Sequence, residues 1–253
     1  MKLSSVQWGR LGAEFVIIVV GVMVALAVDR WQQSRNNAEA ANKYLERLIS
    51  DIEIDLADYR TVVDSSNAID RSVQFVLQVY RGREDVGVED HERFAMAVLA
   101  SSFVPSPSGS DATYTDLVSS GALGLIDADL RESIIGYYQE KSVLLEGRME
   151  SFRNAHRQGY WQLPSLILGP EVLPDLWMAR AGPNEDYVPK AGAITLSQEY
   201  INAATGRLRT VPDFEQRAAQ VRYYMIQRKD IYGRLLPEAA QGLLSNLKAE
   251  QGH

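Results

Sequence analysis

The chain contains no cysteine. That absence excludes disulfide scaffolds, thiolate metal sites, thiol nucleophiles and iron–sulfur clusters, while leaving the redox compartment open. Histidine is nearly absent too. His91, His156 and His253 are the three present, with no second imidazole at metal-ligand spacing. The run Ser119-Ser120-Gly121 lacks the Gly-x-Ser-x-Gly pattern of a nucleophile elbow. Gly121-Ala122-Leu123-Gly124 lacks the Lys-Ser/Thr of a phosphate loop. These gaps point away from an enzyme, a bound metal and a cofactor.

What is present is ordinary for a packed protein: 253 residues, 46% hydrophobic and 23% charged, with a net charge of −7. Such a balance excludes a disordered tail, a collagen-like rod and a polytopic membrane protein. One long apolar run stands out, residues 11–28, LGAEFVIIVVGVMVALAV, with Glu14 as its single ionisable group. As a helix it is roughly 27 Å long, close to the ~30 Å hydrocarbon core of a bilayer. Trp8 and Trp31 bracket the run. They lie roughly 34 Å apart along a helix, where indoles of an aromatic belt belong. The expectation is a spanning helix, with residues 1–35 as membrane anchor. A cleaved signal peptide competes, because Ala25-Leu26-Ala27 has the form of a cleavage site, but its apolar core would be about 7–15 residues.

Flanking charge sets the expected orientation. Lys2 and Arg10 precede the span with no acid, whereas Arg30, Arg35 and Lys43 follow it together with Asp29 and Glu39. The positive-inside bias then favours a cytoplasmic amino terminus and an exported domain, in a bacterial inner membrane. Glu14, Gly21 and Ala25 are candidates for packing against a neighbouring membrane helix. An intramembrane acid usually faces protein, and a small-x₃-small pair permits close approach.

Residues 36–253 read as a soluble helical domain. Leu45, Leu48, Ile52, Leu56, Tyr59, Val63, Ile69, Val73, Val76 and Tyr80 step by about three and four, and no Pro or Gly lies between Val22 and Arg81. The membrane helix should therefore continue directly into a long stalk helix; a break at Asn36-Asn37 is the alternative. Further helices are expected over residues 89–102, over 112–120 with Asp111 as cap and Gly121 as stop, and from Asp127 toward Tyr160. Thr195 with Gln198 suggests a capping box before 199–205, closed by Gly206. Thr210 and Pro212 open a last pattern to about Gln241, with a kink before Pro237. The expected fold class is all-α: an N-terminal transmembrane helix continuing into a stalk, and an antiparallel helical bundle.

Residues 163–192 are irregular yet apolar, with five prolines counting Pro164, Pro170, Pro174, Pro183 and Pro189. They read either as a cover over the bundle core or as a docking element. Leu166, Ile167, Leu168, Leu173, Leu176 and Trp177 are the candidate docking residues, since long apolar loops are uncommon without a reason. Asp51, Glu53, Asp55 and Asp58 read as a solvated acidic face, or one paired with the basic C-terminal helix, because no tight Ca²⁺-binding loop accompanies them. That helix holds seven basic residues between Arg207 and Arg234, but residues 36–253 carry 22 basic and 31 acidic residues, which disfavours nucleic acid.

Two stretches carry a resemblance. Glu14, Gly21, Ala25, Leu26 and Trp31 form the first. The second is Thr113-Tyr114-Thr115-Asp116-Leu117-Val118-Ser119-Ser120-Gly121, followed by Leu125-Ile126, Leu130-Arg131 and Ile134-Ile135-Gly136-Tyr137-Tyr138. Together they resemble an uncharacterised bacterial family of single-span proteins, commonest in Bacteroidetes-like lineages. Ala13 stands where that family usually has Gly, and Asp29-Arg30 replaces an Asn pair. The resemblance implies an N-terminal anchor with a helical soluble domain and transfers no catalytic residue. The expected function is a non-catalytic accessory subunit that meets the lipid bilayer and other membrane-protein subunits, for example in a respiratory, photosynthetic or transport complex. A periplasmic sensor-like domain is the alternative, weakened because ten residues before the span leave no room for an output domain; an enzyme with an unrecognised site is more distant.

Overall fold

The computed structural model describes residues 5–102, 111–159, 162–179 and 194–251. All regular structure among them is helical. Loop 105–109, residues 180–192 of the irregular segment and His253 lie outside the described residues.

The first helix, α1, runs unbroken from Ser5 to Tyr80, 76 residues, through Asn36-Asn37 without interruption. Every residue from Gly12 to Glu39 is exposed, and burial begins in earnest at Leu45. From there a buried seam runs through Leu45, Leu48, Ile52, Asp55, Tyr59, Val62, Ser66, Ile69, Val73 and Val76, with Ala68, Phe75, Leu77 and Val79 buried beside it toward the helix end. The steps alternate three and four, the 3.5-residue seam of a helix packed along its length against others. Leu56, Val63 and Tyr80, expected on this stripe, are only partly buried. Asp55 and Val62 hold the seam in place of Leu56 and Val63, and the polar Ser66 is its next position.

The remaining helices wrap this seam. A 3₁₀ turn at Val88–Asp90 leads into α2 (His91–Ser101), and α3 spans Ala112–Ser119. Gly121 then takes φ 74°, a left-handed conformation that suits glycine and stops the helix. Helix α4 (Ala128–Ser142) is capped by Asp127, whose carboxylate accepts from the Asp129 N–H at 2.9 Å. It passes through a π-helical stretch, Val143–Met149, into α5 (Glu150–Gly159). The described part of the irregular segment forms two short helices, α6 (Leu163–Leu168) and α7 (Leu173–Ala179). Pro164 and Pro174 each sit in a first turn, where the missing N–H has no partner to lose.

Helix α8 (Gln198–Thr210) departs from expectation at both ends. Ser197, not Thr195, is the cap, accepting from Tyr200 N–H at 3.1 Å, and Gly206 lies inside the helix. One glycine costs only about 1 kcal/mol relative to alanine, and the buried Ile201, Ala204 and Leu208 offset that. Helix α9 (Phe214–Asp230) continues through a π turn, Ile231–Leu235, into α10 (Leu236–Gln251), ten residues beyond the expected end. The wider turn directly precedes Pro237, whose ring and missing N–H disturb the preceding turn.

Contacts give the directions. Tyr80 meets Phe214 (centroids 4.9 Å), Asp70 pairs with Arg222 (2.8 Å), Tyr59 meets Tyr232 (5.7 Å) and Glu53 pairs with Lys248 (2.8 Å). Helices α9 and α10 thus run antiparallel to α1. Ser133 meets Asn246 (3.2 Å) and Phe152 meets Tyr224 (5.6 Å), so α4 and α5 run antiparallel to α10 and α9.

Candidate functional site

The apolar end of α1 is the first functional feature. Phe15, Ile17, Ile18 and Met23 are each at least 64% exposed, so no part of the bundle covers them. Helix α1 is long and apolar enough to cross a membrane. Gly21 has nothing within 4 Å of where a Cβ would stand. Ala25 and Glu14 lie on the same exposed stretch, and Trp31 is exposed at its far end. Trp8 belongs to α1, but its side chain lies outside what is described. Between Val28 and Ala40, the first half-buried residue, α1 stands clear of the bundle for roughly 18 Å.

The six docking candidates divide. Ile167, Leu168 and Leu176 are buried in the core, packed there because α6 and α7 lie against α2 and α8. Leu166 (56% exposed) and Trp177 (41%) reach the surface, and Leu173 is half-buried. Leu173 and Trp177 line one cavity of about 540 Å³ with Leu99, Pro164, Pro170 and Pro174. Its polar lining is Ser102, Ser165 and Gln162, and no lining residue is charged. Arg207 holds α6 in place: Nε donates to the Ile167 carbonyl at 2.7 Å, and the guanidinium also reaches Leu168 O. Tyr200 OH donates to that same Leu168 carbonyl at 2.5 Å.

Two polar layers interrupt the apolar core, and neither was expected. The lower layer centres on Asp55, which is fully buried. Its Oδ2 accepts from Lys141 Nζ at 2.7 Å and from Tyr137 OH at 2.9 Å. Because Tyr137 has given its only proton, the 3.0 Å contact with Tyr59 must be donated by Tyr59. Lys141 also reaches Asp111 at 2.8 Å, so the expected cap of α3 spends its carboxylate on a lysine and makes no side-chain cap bond. Burial pushes the Tyr59, Tyr137 and Tyr138 hydroxyls well above the ordinary tyrosine range, and the Asp55 charge adds to each shift. These phenols remain donors at any physiological pH.

The acidic face therefore splits. Glu53 pairs with the C-terminal helix, as one reading expected, but through Lys248, beyond the basic stretch 207–234; Arg222 of that stretch pairs instead with Asp70, outside the face. Asp55 is neither solvated nor paired there, because its seam position turns it inward toward α4. The upper layer sets Arg228, 2% exposed, with its Nε donating to Ser66 Oγ at 3.2 Å and its guanidinium between the Tyr224 and Tyr232 rings (5.7 and 5.6 Å). Burial pushes the Tyr232 hydroxyl up to about 12. His156 is buried beside them and its Nε2 donates to the Ser101 carbonyl at 3.2 Å. Burial pulls its pKa below the ordinary histidine value, and the Arg228 charge adds to that.

His91 is structural as well: Nδ1 donates to the Leu196 carbonyl at 2.8 Å, and Nε2 lies 3.0 Å from the Gln198 amide oxygen, joining α2 to α8. Among the described residues no group of three His, Asp or Glu is placed to hold a metal ion. The buried ionic layers carried one faint sequence signal, the 3.5-residue phase of Asp55 and Ser66 with their apolar neighbours. Compared with models of known families, with curated proteins and with solved structures, the chain matches none.

Proposed function

We propose that this protein is a single-span inner-membrane protein whose helical domain is exported and serves as a non-catalytic accessory subunit of a larger membrane assembly. One observation carries the reading. The exposed apolar stretch of α1 and the central helix of the bundle core are the same unbroken helix. An apolar surface of that length, bare of protein, supports a bilayer around it, and its continuity with the core helix supports an anchor that stays joined to the domain. Flanking charge supports a cytoplasmic amino terminus. Gly21 and Ala25 offer a close-approach face to a neighbouring membrane helix, and Leu166, Leu173 and Trp177 offer an apolar rim to a partner of the domain.

Alkaline phosphatase fused after His253 tests the topology. Activity is expected; an inactive phosphatase with a fluorescent cytoplasmic reporter in its place rejects the orientation. Affinity purification from solubilised membranes tests the accessory role, with co-purifying membrane subunits expected and recovery of the chain alone counting against it. The unbroken stalk also favours a second reading, a periplasmic sensor-like domain that passes a signal along α1. Glycines inserted at 36–37 separate the two, because tethering survives a flexible stalk and signal transmission does not.

A further inference from the structure

Three buried polar atoms in the lower core layer have no hydrogen-bond partner among the described residues: Asp55 Oδ1, Asp51 Oδ2 and the Tyr138 hydroxyl. Leaving such atoms unsatisfied forfeits their hydration without return, and three together demand an explanation. Their placement supplies one. Asp51 and Asp55 are four residues apart on α1, so they project from one face, one above the other. Tyr138 is 5% exposed, and its ring is stacked on Tyr114 with centroids 4.1 Å apart and planes 7° from parallel. Lys141 ties the tyrosine to the acids. Its Nζ lies 5.6 Å from the Tyr138 centroid and 2.7 Å from Asp55 Oδ2. The Tyr138 hydroxyl also feels the charges of both Asp55 and Asp51.

The leftover capacity is two carboxylate acceptors and one phenolic donor. A metal cation accepts no hydrogen bond from a phenol, and the described residues hold no metal-ligating group of three. Lys141 already supplies a cation to Asp55 and Asp111. A water molecule matches the count, accepting one hydrogen bond and donating two. We propose that Asp51, Asp55 and Tyr138 form a binding site for one structural water, which accepts from Tyr138 and donates to Asp51 Oδ2 and Asp55 Oδ1. The water joins half-buried Asp51 to the buried chain of Lys141, Asp55, Tyr137 and Tyr59. The site does not depend on the membrane reading.

An experimental structure of the full chain at near-atomic resolution tests the proposal. Density is expected at hydrogen-bond distance, about 2.6–3.2 Å, from all three atoms, and it should vanish in Tyr138→Phe solved the same way. Direct contact between Tyr138 and either aspartate overturns the proposal, as does an empty site. Thermal unfolding of the wild-type chain in sodium, potassium, magnesium or choline chloride at equal ionic strength tests the ligand's identity. Equal midpoints are expected; a midpoint raised by one metal cation alone identifies an ion and overturns the water.

Discussion

Asp55 and Lys141 show how one residue's surroundings decide its energetic sign. Both are buried and each satisfies the other, so their desolvation is offset only while the pair is whole. Lys141→Met leaves a carboxylate uncompensated in the core and should cost roughly 3–5 kcal/mol. The double variant Asp55→Leu/Lys141→Met should recover most of that loss. Denaturant unfolding of the single and double variants measures the difference; a double variant as unstable as Lys141→Met would show that the pair stabilises beyond its own compensation. His156 carries a pH dependence of definite sign. Its folded pKa is depressed, so the unfolded chain binds a proton more readily. The contribution is complete above about pH 6.5, the unfolded value, and is lost as pH falls through the lower folded value. The fall in urea midpoint between pH 7.5 and 5.5 should therefore be smaller in His156→Gln than in wild type. An equal fall in both would assign the acid sensitivity to other groups.

At the scale of elements, α7 separates packing from display within two residues. Leu176 is fully buried, whereas its neighbour Trp177 is 41% exposed at the cavity rim. Leu176→Ala should cost about 2–5 kcal/mol, as core truncations do. Trp177→Ala should cost less and reduce recovery of any partner docking on that rim. Unfolding and co-purification measured on the same two variants check both halves; equal destabilisation would make Trp177 a core residue. The same logic applies at the start of α8. Ser197→Ala should cost about 1 kcal/mol by removing the cap, while Thr195→Ala, which the capping-box pattern had marked, should change stability by less than about 0.5 kcal/mol.

For the whole molecule, the decisive feature is that residues 12–39 lie outside the packed domain. Residues 36–253 expressed alone should be soluble and unfold at the same temperature as the full chain in detergent. A markedly lower midpoint would show that the anchor contributes to the fold. In the membrane, Gly21→Ile should leave insertion unchanged and reduce recovery of a partner that packs on the span; full recovery of every partner would remove that face from the assembly.

The all-α class, the apolar run, the continuous first helix and most helix starts were legible because they depend on local rules. The stretch between Val22 and Arg81 holds no Pro or Gly and so carries no local signal for a turn. Asp127 before Ala128 caps whatever the distant chain does. Three things were decided only by tertiary structure. Which of Thr195 and Ser197 caps α8 depends on where α8 docks. The split of residues 163–179 into buried Ile167, Leu168 and Leu176 and exposed Leu166 and Trp177 depends on which face α2 and α8 cover. The role of Asp55 depends on Lys141 and Tyr137, which lie more than 80 residues away in sequence. Hydrophobic pattern records the average environment of a helix face. A charge placed in that face becomes intelligible only when the partner that neutralises it is brought alongside, and that partner arrives through packing.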